Sequence, residues 1–127
     1  MRDIVKVFKV LSDETRLRIL NLLQERECCV CEVMQALEIS QSKASRGLSA
    51  LYDAGFLKMK KTGLWSLYSI DTEGIKSYQS LLVEAVKGAL KDNRIAMLDK
   101  ERLSKAERMG PSCIGKVCKS SSTDPAV

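Results

Sequence analysis

The sequence predicts a mainly α-helical fold that carries one small β-hairpin, and three observations predict it. Apolar residues recur at three- and four-residue spacing through most of the first 90 positions. Two short runs, 57–61 and 65–70, flank a turn containing Thr62-Gly63, with β-favouring residues mainly in the second. The helical stretches are separated by capping residues and short turns.

Each element can be justified in order. Ile4, Val7, Phe8 and Leu11 give a first amphipathic helix. Ser12-Asp13 is a capping signal, with Asp13 the better N-cap, and Leu17, Leu20 and Leu23 line the helix that follows. A shorter helix over 31–37 turns Val33 and Leu37 inward. Ile39-Ser40-Gln41 is a tight connection in which Ser40 caps the next helix. Ala44, Leu48 and Leu51 are that helix's buried stripe, and Gly55 ends it as a left-handed cap. After the hairpin, Ile75, Tyr78, Leu82, Ala85 and Ala89 mark a helix over 72–90. One helix cannot bury such a seam alone, so a second protomer is its natural cover. Trp65 is expected in the core. Residues 94–108 form a further basic helix, broken by Gly110-Pro111, and the Ser-rich end after Lys119 is expected to be disordered. Two helices joined by a short turn, followed directly by a hairpin, describe a dimeric winged helix-turn-helix. Residues 1–92 are expected to form this winged-helix and dimerisation domain, and 93–127 a basic helix with a Cys-containing tail.

Composition narrows the function. No apolar run approaches the roughly 18 residues of a membrane span, and the start of the chain does not read as a secretory signal. A cytoplasmic protein without a membrane partner is expected. There is no histidine, no recognisable nucleophile–base pair and no phosphate-binding glycine loop, so neither an enzyme nor a resident cofactor is expected. Five cysteines, an odd number, fit poorly with a closed disulfide framework. With no imidazole, any metal site must be built from sulfur, which favours soft ions.

The net charge of +5 matters through its placement. Between positions 40 and 61, Lys43, Arg46, Lys58, Lys60 and Lys61 face only Asp53. On the predicted fourth helix the outward residues are Gln41, Ser42, Lys43, Ser45, Arg46 and Ser49, short polar donors with two cations. Such a face can approach base edges and pair with phosphates. Lys60 and Lys61 lie on the hairpin, where a wing rests on the neighbouring backbone. Double-stranded operator DNA is the partner this pattern points to.

Three segments then carry a family resemblance. Residues 8–23, FKVLSDETRLRILNLL, and 40–57, SQSKASRGLSALYDAGFL, resemble the core helices and recognition helix of the ArsR/SmtB metal-sensing repressors. Residues 27–33, ECCVCEV, resemble the Cys-Val-Cys box of that family's arsenic-responsive branch. The resemblance implies a homodimeric repressor of arsenic-resistance genes, released from DNA when As(III) or Sb(III) binds cysteine thiolates. Its two box ligands fall on Cys29 and Cys31, while the third position of its best-known version is Met34 here. Cys28, Cys113 and Cys118 are then the candidates for a third sulfur, with the C-terminal pair favoured and Cys113 ahead. The family's histidine after Arg46 is replaced by Gly47. If both box cysteines sat in one helix, i and i+2 would face different sides, so sharing an ion would distort its start.

Other readings stay open on the sequence. The Cys28-x-x-Cys31 spacing suits a thiol redox sensor, and Cys28, Cys31, Cys113 and Cys118 could hold zinc, cadmium or lead. A non-DNA interaction module on the same fold is a third.

Overall fold

The computed structural model describes residues 1–108, which form six helices and one antiparallel hairpin. Helix α1 (Arg2–Leu11) ends at Ser12, and Asp13 opens α2 (Glu14–Leu23) by accepting the Arg16 N–H at 3.0 Å. Helix α3 (Val30–Leu37) ends at Glu38, whose φ of 56° makes it a left-handed cap without glycine. Ser40 then caps α4 (Gln41–Asp53), its hydroxyl accepting the Lys43 N–H at 3.1 Å. Gly55, with φ 92°, turns the chain from α4 into β1 (Leu57–Thr62), which pairs with β2 (Trp65–Ile70) from Leu57↔Ile70 to Thr62↔Trp65. Helices α5 (Ser77–Leu90) and α6 (Arg94–Lys105) complete the order. This is the winged helix-turn-helix arrangement the sequence predicts.

One core joins these elements. Ile19, Leu20, Leu22, Val33, Leu48, Leu51 and Phe56 are fully buried in it, so α2 lies at the centre with α3, α4 and the hairpin root around it. Gly47 belongs to this core too. A Cβ built on it would lie 2.5 Å from Ile19 Cδ1, and the space opposite Arg46 is therefore filled by α2. The Gly47 found where the resembled family carries histidine thus meets the end of the Ile19 side chain, which would have to shift to admit a Cβ.

Two expectations are revised. Helix α5 begins at Ser77, not near 72, because Asp71 folds the preceding residues into a turn: its carboxylate accepts the Gly74 N–H at 3.0 Å and its carbonyl the Ile75 N–H at 2.9 Å. Gln79 then fastens the helix start, donating to the Ala54 carbonyl at 2.7 Å. The seam is also partly used within the protomer. Ile75, Tyr78 and Leu82 lean on the protomer's own core, beside buried Val83 and Val86. The outward apolar surface is instead Leu81, Ala85 and Ala89 of α5, with Val5 and Phe8 of α1.

Helix α6 packs along α2 and α3. Its buried Asp99 takes Arg18 in a two-pronged pair, Nε at 2.9 Å and Nη2 at 2.7 Å, and Arg102 at 3.0 Å. Arg102 also donates to the Ala36 carbonyl, and Glu107 exchanges two hydrogen bonds with the Gln35 side chain. Among the described residues no helix is long and apolar enough to cross a membrane.

Candidate nucleic-acid interface and thiol site

Helix α4 divides into two faces. Ala44, Gly47, Leu48 and Leu51 are buried, and Ser42, Lys43, Arg46 and Ser49 are exposed, with Gln41 and Ser45 half-buried and joined by a 3.1 Å hydrogen bond. No acid lies on this helix before Asp53, so its outward face is polar and positive. Lys60 and Lys61 are exposed on β1, of which only Leu57 is buried, so the hairpin projects from the domain. The two groups therefore stand on the outward face of a core helix and on the hairpin that follows it. Short donors on an exposed helix face, flanked by lysines on a wing, can meet base edges and phosphates together.

The cysteine box lies where the helix-turn-helix begins. Cys29 is not in α3: it is the N-cap residue, extended at φ −90°, and the helix starts at Val30. Glu32 reaches back to accept the Cys29 N–H at 2.9 Å, and the Cys29 sulfur faces the Glu32 N–H, a capping box with sulfur in the usual hydroxyl's place. Cys31 sits one residue into the helix. Because one cysteine caps and the other is helical, the two sulfurs share one small buried cluster with Leu67, against which Trp65 packs. They do not face opposite sides of one helix, as two cysteines inside it would. Trp65, half-buried at the start of β2, belongs to this cluster instead of the main core.

Cys28 faces elsewhere, into the main core. Cys28 and Cys29 are free thiols, and Cys31 is disulfide-bonded. Cys113 and Cys118 lie outside the described residues. Within the described residues no three Cys, Asp or Glu side chains converge as a metal site. Burial pushes the Cys28 thiol up to about 12, with the Glu32 carboxylate acting in the same direction. Burial raises the Cys29 thiol as well. Capture of a thiophilic ion by Cys29 must therefore displace a proton.

Sequence reasoning missed Glu32. Its carboxylate is buried, and burial alone would raise its pKa. The Cys29 N–H together with Arg26 at 2.9 Å and Arg108 at 3.2 Å holds it below the ordinary range instead. The capping spacing of Cys29 and Glu32 was the one signal that could have found it.

A two-helix unit whose second helix turns a polar face outward, followed by a lysine-bearing hairpin, defines a winged helix-turn-helix protein. Residues 13–58 match the model of the bacterial regulatory protein arsR family. The chain is 46% identical over 77 residues to the arsenic resistance transcriptional regulator ArsR1 of Pseudomonas putida, covering 58% of this chain and 60% of that protein. It is 44% identical to the cadmium resistance regulatory protein CadC homolog of Staphylococcus aureus, covering 58% and 62%. To the arsenical resistance operon repressor of Bacillus subtilis it is 35% identical, covering 63% and 77%. Among solved structures it resembles the homodimeric winged helix-turn-helix DNA-binding domain of Mb0332 from Mycobacterium bovis, a possible ArsR-family transcriptional regulator. That likeness has a TM-score of 0.60 at 25% identity, covering 73% of this chain and 82% of that one. The chain belongs to the bacterial arsR family of regulatory proteins. It spans only about three fifths of the first two of these relatives, 60% and 62%.

Proposed function

We propose that this chain is a homodimeric, cytoplasmic transcriptional repressor that binds operator DNA through α4 and the hairpin. In its reduced form it releases DNA when As(III) or Sb(III) is captured by Cys29 and Cys31. The observation that carries the reading is the shared buried cluster of those two sulfurs at the first residue of the helix-turn-helix. Relatives named for arsenic resistance support it. A third thiolate is needed for trivalent arsenic, and Cys113 is the leading candidate, ahead of Cys118 and Cys28.

The switch follows from the cap. An ion that takes the Cys29 sulfur competes with the Glu32 N–H for it, which loosens the first turn of α3. Helix α3 meets α4 through only Glu38, Ile39 and Ser40, so a shift at its start is passed to the DNA-facing helix. The ion's preference for the loosened state then appears as weaker DNA binding. The outward apolar surface of α1 and α5 is the proposed dimer face, and pairing across it should set the two α4 helices about 34 Å apart.

The test is operator binding by the reduced protein, using a duplex selected from a random pool and titrated with sodium arsenite, Cd(II) and a disulfide-forming oxidant. Cys29→Ser and Cys31→Ser should each bind DNA normally and no longer release it with arsenite. Loss in Cys113→Ser but not Cys28→Ser would place the third sulfur in the tail. A double Cys29→Ser, Cys31→Ser variant that still released DNA with arsenite would overturn the reading. A second reading, thiol–disulfide switching on the same fold, is favoured by the bonded state of Cys31. Release by the oxidant alone would select it.

A further inference from the structure

The wing and the cysteine box are built onto each other. The Cys28 N–H donates to the Tyr68 carbonyl at 3.0 Å, and the Tyr68 N–H to the Cys28 carbonyl at 2.9 Å. This antiparallel bridge makes Cys28 a one-residue third strand on the edge of β2 opposite β1. Beside it, Leu67 of β2 is buried in the same cluster as Cys29 and Cys31. On the outer side Glu27 pairs with Lys60 at 3.7 Å, an exposed contact worth little in energy that still places a wing lysine next to the box.

Within the strands themselves little is buried. Leu57 is the one fully buried residue of β1 and Leu67 the one of β2. A two-stranded hairpin is at best marginally stable by itself in water. Leu57, Tyr68 and Ile70 hold its root against the main core, while the bridge and the Leu67 contact, both made to the box residues Cys28, Cys29 and Cys31, are its second set of anchors.

We infer that the wing is a readout element of the thiol site: a thiophilic ion held by Cys29, Cys31 or both draws the box off β2, opens the Cys28–Tyr68 bridge and loosens the hairpin that carries Lys60 and Lys61. Tyr68, through its backbone, and Leu67 are positioning residues in this coupling. The inference rests on the thiol-site reading above and adds a second path to DNA, separate from the α3–α4 turn.

Amide hydrogen exchange of the full reduced chain, followed residue by residue, tests it. One arm adds sodium arsenite and another adds methylmercury, which needs a single thiolate; mass measurement on wild type and Cys→Ser variants locates each ion. With either ion on Cys29 or Cys31, exchange at the Tyr68 and Cys28 amides should rise about fivefold or more, the factor one net hydrogen bond is worth. Hairpin amides should follow, those of Leu20 and Leu22 should not move, and Leu67→Ala should speed wing exchange before any ion is added. Unchanged exchange at Tyr68 with either ion in place overturns the coupling. Failure of both ions to reach the box overturns it too. Methylmercury loosening the wing while arsenite fails to bind would keep the coupling and overturn the inducer.

Discussion

Gly47 and Ile19 approach as closely as the absence of a side chain allows: a Cβ on Gly47 would sit 2.5 Å from Ile19 Cδ1. This contact lies between α4 and α2, beside the buried Ala44, Leu48 and Leu51 that seat α4 in the core. Alanine at this position gains about 1 kcal/mol in helix propensity. Against that, forcing a methyl into a filled core costs about 1–3 kcal/mol. Gly47→Ala should therefore be net destabilising in urea unfolding. The Ile19→Val background, which removes Cδ1, should shrink or reverse the loss. Stabilisation by Gly47→Ala in the wild-type background would contradict the close approach.

In the proposed DNA-bound state, Arg46 and Lys60 do different work. Arg46→Ala should cost about 1–3 kcal/mol of operator affinity, as for a base-edge contact. Lys60→Ala or Lys61→Ala should weaken binding to all sequences alike and lower the salt slope by about 1 each. Titrations at several salt concentrations read both effects. Intact operator affinity in Arg46→Ala would displace the recognition face from α4.

Asp99 is the buried partner of two arginines from two helices. Asp99→Ala leaves Arg18 and Arg102 without their counter-charge, and breaking a buried pair in this way costs about 3–5 kcal/mol. The lower end is expected, because Arg18 keeps 17% of its side chain in solvent and can turn outward. Unfolding should report the loss, and trypsin should cut sooner within α6. Equal protease resistance would show that α6 does not depend on this pair.

Glu38 holds a left-handed backbone at φ 56° between α3 and α4. Glycine removes a strain of about 1–2 kcal/mol there and gives part of it back as unfolded-chain entropy. Its ion pair with Arg102, at 4.0 Å and largely exposed, adds little. Glu38→Gly should thus raise stability by about 0.5 kcal/mol, and a clear loss in thermal unfolding would refute the strain.

What the sequence made legible was local. Ser40, the Ala44–Leu48–Leu51 stripe and Gly55 mark α4 at both ends and along its buried side, because caps and periodicity are short-range signals. The outward polar residues of α4 followed by subtraction. Contacts between distant segments left no such trace: Asp99 meets Arg18 across 81 positions, and Cys28 meets Tyr68 through backbone groups every residue owns. The start of α5 lies later than its apolar pattern suggests because Asp71 forms a side-chain turn that competes with the helix over the same residues. The capping role of Cys29 was equally hidden, since its spacing to Cys31 says nothing about where a helix begins. Only Glu32, three residues on, carried that information.

The N-cap position of Cys29 separates what the fold needs from what a sensor needs. Serine is a better cap than a thiol, since its oxygen is a stronger acceptor for the same N–H. A Cys29→Ser chain would keep the cap and give up one soft ligand of the proposed site. Folding alone would thus favour oxygen at this position, and a sulfur there is a residue held against the pull of stability.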